Sequence, residues 1–366
     1  MLPLFQPDLP SVIEILPYLT RMEKNKWYSN FGPLVCEFEA SIAQHFNIPV
    51  SAVVSASNAT SALTETLRLY SSKIRVAGSS PGYCLVPAWT FVATAQAVMA
   101  AGFRPLFCDV DAKTGELSPE IAENALLENN EISVVLPVAP FGAAVDVSTW
   151  DDFSKKQKIH VVIDAAASFD AVSPGFTPTV ISLHATKTLG VGEGALMITL
   201  DLELAEKFKS CTSFGFAGSR IARSPGGNVK MSEMHAAVGL AQLGRWNDLR
   251  ERLLEVRSWY DEALLNVEGC SSLHMPTSGV SNTMNLYFNH TDAVDVIEKL
   301  KGAGVSSRRW WEDELHLNPV FGQEVVGPVT ESDKFYKNVF GVPFFSDLAK
   351  CDVLKVCEII ERETTR

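Results

Sequence analysis

Val161-Val162-Ile163-Asp164-Ala165-Ala166 is followed by Val180-Ile181-Ser182-Leu183-His184-Ala185-Thr186-Lys187 and then by Gly192-Glu193-Gly194. An acid closes one apolar, β-branched run, and a lysine lies just past another, in a turn rich in Thr and Gly. This arrangement suits pyridoxal 5'-phosphate: a lysine amine can form a Schiff base with its aldehyde, and a carboxylate can keep its pyridine nitrogen protonated. An ordinary strand-end Asp and a surface Lys would read the same way, since both are common in loops. The surrounding chain has to decide.

Apolar runs appear at 52–55, 84–87, 104–108, 133–138, 160–164, 179–183 and 195–200. Most are separated by stretches of helical spacing, such as 61–69, 91–101 and 118–127. Strands alternating with helices imply a mainly parallel sheet covered on both faces, with ligands at the carboxyl ends of the strands. Asp164 falls at such an end. After Ser232, a candidate N-cap, Met234, Ala237, Val238 and Ala241 keep helical spacing and lead toward a smaller C-terminal α/β region. With 366 residues the chain exceeds one ordinary core. The expected division is 1–245 and 246–366.

Five ordered blocks carry a resemblance. They are Asn30-Phe31-Gly32-Pro33 with Phe38-Glu39, Val86-Pro87-Ala88-Trp89-Thr90-Phe91 through Thr94, the Asp164 block, the Lys187 block, and Gly227-Asn228-Val229-Lys230-Met231 through Leu243. A weaker echo follows at Leu315-His316 and Val342-Pro343. Together they resemble the DegT/DnrJ/EryC1/StrS sugar aminotransferases, which implies the fold type I architecture with a seven-stranded sheet in the large domain. By the same resemblance Ala59, Thr60 and Ser182 hold the cofactor phosphate and Trp89 stacks on the pyridine ring. Asn228 reaches the phosphate from a partner subunit, so a homodimer with shared sites is expected. The resemblance also makes Asn30 and His316 candidate substrate contacts. Local chemistry agrees at 55–61, where small residues between a strand and a helix start let backbone N–H groups meet an anion. One position departs. Where many relatives have Gln after Asp-Ala-Ala, this chain has Ala167, so the ring oxygen takes its donor from Ser168, from water, or from nothing.

At 46% hydrophobic and 20% charged residues the chain reads as globular, and its net charge of −12 argues against nucleic acid or an anionic membrane as partner. The longest mostly apolar stretch, 91–103, is too short to span a bilayer. There is no basic-then-apolar leader, and the seven cysteines include no Cys-x-x-Cys pair. A cytoplasmic protein with free thiols and no metal is expected. An acidic protein with a phosphate-bearing substrate needs local positive charge. Between 210 and 230 there is no acid, while Arg220, Arg223 and Lys230 are present, and Arg308-Arg309 adjoin Trp310-Trp311.

The resemblance implies a transaminase that takes its amine from L-glutamate, with Lys187 and Asp164 at its centre. By the same resemblance the acceptor would be a nucleotide-linked keto-6-deoxysugar, 4-keto as the family's commoner case and 3-keto as the alternative, in amino-sugar synthesis for lipopolysaccharide O-antigen or another surface polysaccharide. A dehydratase branch of the family carries His where Lys187 stands. A regulator that binds the cofactor without catalysis would keep the same fold.

Overall fold

The computed structural model describes residues 1–76, 81–265, 267–273, 279–288, 293–311 and 314–364. Strands Tyr83–Pro87, Arg104–Cys108 and Ile132–Val135 pair in parallel, with Tyr83–Pro87 in the middle and His160–Val161 added beyond Ile132–Val135. A second four-stranded sheet runs Ile163–Asp164, Thr179–Ser182, Ala195–Ile198, Val53–Ala56. Only Ala195–Ile198 lies antiparallel to its neighbours. The expected single seven-stranded sheet is thus drawn as two four-stranded ones that meet in the extended stretch 160–164. Val162 N and Asp164 N donate to one side, to the carbonyls of Val135 and Pro137, while Ile163 N and Ala165 N donate to the other, to Pro178 and Val180.

Alternate residues of these strands fall into two separate apolar clusters. Leu85, Leu106, Val135, Val161, Ile163, Ile181 and Leu196 belong to one, while Cys84, Val86, Phe107, Val134, Val162, Val180 and Met197 belong to the other. A sheet buried on both faces explains why its strands read as continuous apolar runs without alternation. The helices start on local signals. Ser118 accepts from Ile121 N and is followed by Pro119, and Ser232 accepts from His235 N to open Glu233–Gly244.

Helix Trp246–Leu264 leads into a three-stranded antiparallel sheet of Cys270–Leu273, Met284–Phe288 and Val339–Val342. The N-terminal residues join this later portion. Leu2 pairs with Val305, Phe344 N donates to Leu4 O, and Asp8 forms an ion pair with Arg245 at 2.7 Å. Residues 2–8 therefore cross from one end of the chain to the other and pass the cavity described next.

Candidate active site

A cavity of about 650 Å³ opens at the carboxyl ends of the parallel strands. Asp164 lines it from the end of Ile163–Asp164, and Ser182 from the end of Thr179–Ser182. Asn58, Ala59 and Thr60 line it from the start of helix Ala59–Val76, and Lys187 lines it from the turn that follows Ser182. Residues more than a hundred positions apart meet here because the strand order places their ends side by side.

Asp164 is 5% exposed. Its Oδ2 accepts from Thr94 Oγ1 at 2.8 Å and its Oδ1 from Ala166 N at 3.2 Å. Thr94 Oγ1 is itself 3.0 Å from Thr90 Oγ1, so two hydroxyls at the start of helix Val92–Ala100 hold the acid in place. Burial pushes the Asp164 carboxyl above its usual range, while the Thr94 hydroxyl, the Ala166 N–H and the Lys187 amine pull the other way. Burial likewise pushes the Lys187 amine below the lysine range, against the pull of Asp164.

Opposite the acid, Asn58 Oδ1 accepts from Ser61 N at 2.8 Å and caps the helix. The amides of Ala59 and Thr60 have no intrahelical acceptor and face the anion-attracting end of the helix dipole. Ser182 Oγ accepts from His184 N at 3.2 Å, which leaves its own proton to donate elsewhere. A helix start and a hydroxyl on one wall, with a buried acid and a desolvated amine on the same cavity, fit a phosphorylated pyridine aldehyde.

Trp89 does not border this cavity. It is 2% exposed and packs against Trp311, Phe335 and Phe141, with ring centroids 4.9, 4.7 and 5.5 Å away. A Cβ at Gly115, where φ is +66°, would lie 2.7 Å from its ring. Phe91, two residues on and 56% exposed, lines the cavity instead. The strand ends at Pro87, and the turn after it swings position 91 into the opening while 89 points into the core. Ser168 is fully buried, with no hydrogen-bond partner for its Oγ among the described residues, and does not line the cavity, unlike Ala167.

Of the basic residues, Arg308 lines the cavity, its guanidinium 4.7 Å from the ring centre of Trp310 and 5.9 Å from that of Phe5. It is held there by backbone pairing with Gly341, against which the Trp310 indole packs so closely that a Cβ would lie 2.5 Å from Nε1. Phe141 stacks on Trp311 at 4.9 Å and 20°. Arg220, Arg223 and Asn228 are exposed and lie outside the cavity of this chain. Lys230 also lies outside and donates to Asn228 Oδ1 at 2.6 Å. Asn30 sits at φ +61° in the exposed turn before helix Pro33–Phe46, away from the cavity. His316 is 7% exposed in the short turn Leu315–Leu317 and does not line the cavity either. His184 does line it, with Nδ1 2.9 Å from Thr186 Oγ1 and Nε2 3.8 Å from Glu193 Oε1.

The family profile of DegT/DnrJ/EryC1/StrS aminotransferases matches residues 12–361. The chain belongs to this family. Its members are pyridoxal phosphate-dependent enzymes, and the residues lining the cavity suit that cofactor. The fold superimposes on a putative PLP-dependent aminotransferase of Bacillus cereus with a TM-score of 0.90, at 26% identity over 98% of this chain and 99% of that one. It is also similar to DesI in the presence of its TDP-sugar product, with a TM-score of 0.87 and 26% identity over 100% of this chain and 93% of that one. The dTDP-4-amino-4,6-dideoxy-D-glucose transaminase of Shigella dysenteriae is 28% identical, covering 76% of this chain and 74% of its own. Among the described residues no group of His, Cys, Asp and Glu is placed to hold a metal ion, and no helix is long and apolar enough to cross a membrane.

Proposed function

We propose that this chain transfers an amino group from L-glutamate to a nucleotide-linked keto-6-deoxysugar, with a C4 ketone favoured over C3. The observation that carries the reading is the meeting of Asp164, Lys187, Ser182 and the first amides of helix Ala59–Val76 on one cavity. The similarity to DesI and to the Shigella transaminase supports the nucleotide-sugar class.

The amides of Ala59 and Thr60 and the hydroxyl of Ser182 bind the cofactor phosphate. Phe91 covers one face of the ring, and Asp164 holds a proton on its nitrogen. When bound, pyridoxal phosphate supplies an electron sink for the carbon that gains or loses the amine. Lys187 would attach the cofactor, and its free amine would move a proton at Nζ to and from the amino-acid carbon. Burial pushes the Lys187 amine below the lysine range and so favours the neutral form that this task needs. The donor leaves before the sugar enters, so kinetics should be ping-pong. Arg308 contacts the diphosphate, while Phe141, Trp310 and Trp311 wall off the sugar or base from water. A homodimer completes the site: the acid-free segment 210–230, with Phe214 and Ile221 exposed, would carry the partner's Asn228, Lys230, Arg220 and Arg223 to the cavity rim. Cytoplasmic production of an amino sugar for an O-antigen or related surface polysaccharide is the setting this chemistry fits.

The experiment is a screen of dTDP-, UDP- and GDP-linked keto sugars with glutamate, read by mass spectrometry. Amination of one nucleotide-linked sugar is expected. Equal turnover of the free keto sugar would remove the nucleotide-sugar reading and leave a general aminotransferase.

A further inference from the structure

Behind Lys187 lies a second, smaller chamber of about 40 Å³, and Phe5, Thr186, Lys187 and Asn282 border both it and the main cavity. Two of the polar atoms that belong to residues lining this chamber, Asn282 Oδ1 and Thr188 Oγ1, are buried and have no hydrogen-bond partner among the described residues. Asn282 is fixed by its other end, since Nδ2 donates to Thr186 O, the carbonyl just before Lys187. A buried amide oxygen and a buried hydroxyl left without partners cost free energy unless something in the chamber bonds to them. The chamber exceeds the roughly 10–15 Å³ that one water requires, and water there needs two to four polar partners, for which Asn282, Thr188 and Lys187 are candidates among its lining residues.

We propose that this chamber is a hydrated rest site for the Lys187 amine, in which Asn282 Oδ1 and Thr188 Oγ1, bridged by water, hold the amine between half-reactions, when it is detached from the cofactor and is not moving a proton. The inference rests on the reading of Lys187 as the cofactor's attachment point. Asn282 and Thr188 are then positioning residues. They accept from the amine, favour its protonated form, and keep Nζ close to the reacting carbons between the two half-reactions. The charged groups that bear on this amine are few. Asp164 acts on it from its strand, and His184, Glu193 and Arg308 line the same main cavity. Asp8, across the chamber, is already paired with Arg245 and Ser346.

The test measures the pH midpoint of Lys187 acylation by acetic anhydride in the full chain stripped of cofactor, followed by peptide mass spectrometry. Thr188→Val keeps the side chain's shape and leaves the Asn282–Thr186 contact intact. Asn282→Leu removes the acceptor directly, and Asn282→Asp adds a charge. The midpoint should fall by about half to one pH unit in Thr188→Val and Asn282→Leu, and rise in Asn282→Asp. In the loaded enzyme the same two neutral variants should slow the recapture of the cofactor by Lys187 after a single half-reaction, read as return of the visible band. A midpoint unmoved in a folded Thr188→Val protein overturns the proposal, as does movement in the same direction for Asn282→Leu and Asn282→Asp. If the wild-type chain shows no Lys187-dependent visible band at all, it is the role of Lys187 that fails, and the rest site falls with it.

Discussion

Thr94 Oγ1 donates to Asp164 Oδ2 at 2.8 Å, across 70 residues of sequence, and so fixes the acid at the bottom of the cavity. A hydrogen bond to a charged carboxylate contributes about 1.5–3 kcal/mol. It favours the ionised form of a group that burial drives toward protonation.

Thr94→Val should therefore raise the Asp164 pKa. The carboxylate must be ionised to hold the pyridine proton, so losing the donor moves the acid limb of the kcat/KM profile to higher pH. The alkaline limb, set elsewhere, should stay. A pH–rate series on both proteins checks this, and an unmoved acid limb would show that Thr94 does not act on Asp164 in the working enzyme.

Asp164→Ala should abolish most transamination while the fold survives. A loss smaller than about tenfold, or roughly 1.4 kcal/mol of barrier, would contradict the role assigned to this carboxylate. Half-reaction rates with glutamate alone are the measurement to make.

Lys187→Ala should bind cofactor without the covalent link and turn over undetectably when no amine is added. Absorbance and intact mass after borohydride treatment separate the two binding modes. Appreciable residual turnover would mean that another group moves the proton.

Phe91→Ala and Trp89→Ala should part company. Phe91 is 56% exposed on the cavity, so its loss should weaken cofactor retention with little effect on melting. Trp89 is 2% exposed among Trp311, Phe335 and Phe141, so truncation should cost about 3–5 kcal/mol of stability. Thermal melts with and without cofactor distinguish them. The opposite pattern would return the stacking role to Trp89.

Mixing Lys187→Ala subunits with Asn228→Ala subunits should restore part of the activity, because one site of each mixed dimer keeps both residues. Activity that never rises above the two parents would contradict a shared site. So would an active monomer by light scattering.

The residues of the site were legible in unequal measure. Local patterning marked Asp164 at the end of an apolar run, Lys187 just past another and 55–61 as a helix start open to an anion, while the roles of Ser182, Ala59 and Thr60 came from the family resemblance. The block holding Trp89 was also readable, but the choice between 89 and 91 was not. Both are aromatic, both follow the same strand, and only the path of the turn decides which enters the cavity. Five cationic candidates came from charge patterning, yet in this chain the cavity receives Arg308 alone of the named five, with Arg220, Arg223 and Lys230 outside and Arg309 not among its lining residues. Charge along a sequence says nothing of which wall a loop will face.

Sequence by itself determined the class of this protein: β-branched runs alternating with helices, an acid closing one apolar run and a lysine just past another, and a net charge that needs local compensation. These are properties of neighbouring residues, and short-range sterics and patterning fix them. The tertiary structure alone decided that Phe5, Thr94, Phe141 and Asn282 belong at the cavity, that His316 and Asn30 do not line it, and that two unpartnered polar atoms belong to residues lining a chamber behind Lys187. Each of these depends on where distant elements cross. Phe5 arrives because Leu2 pairs with Val305, and Asn282 because it reaches across to the Thr186 carbonyl, contacts that no local pattern encodes.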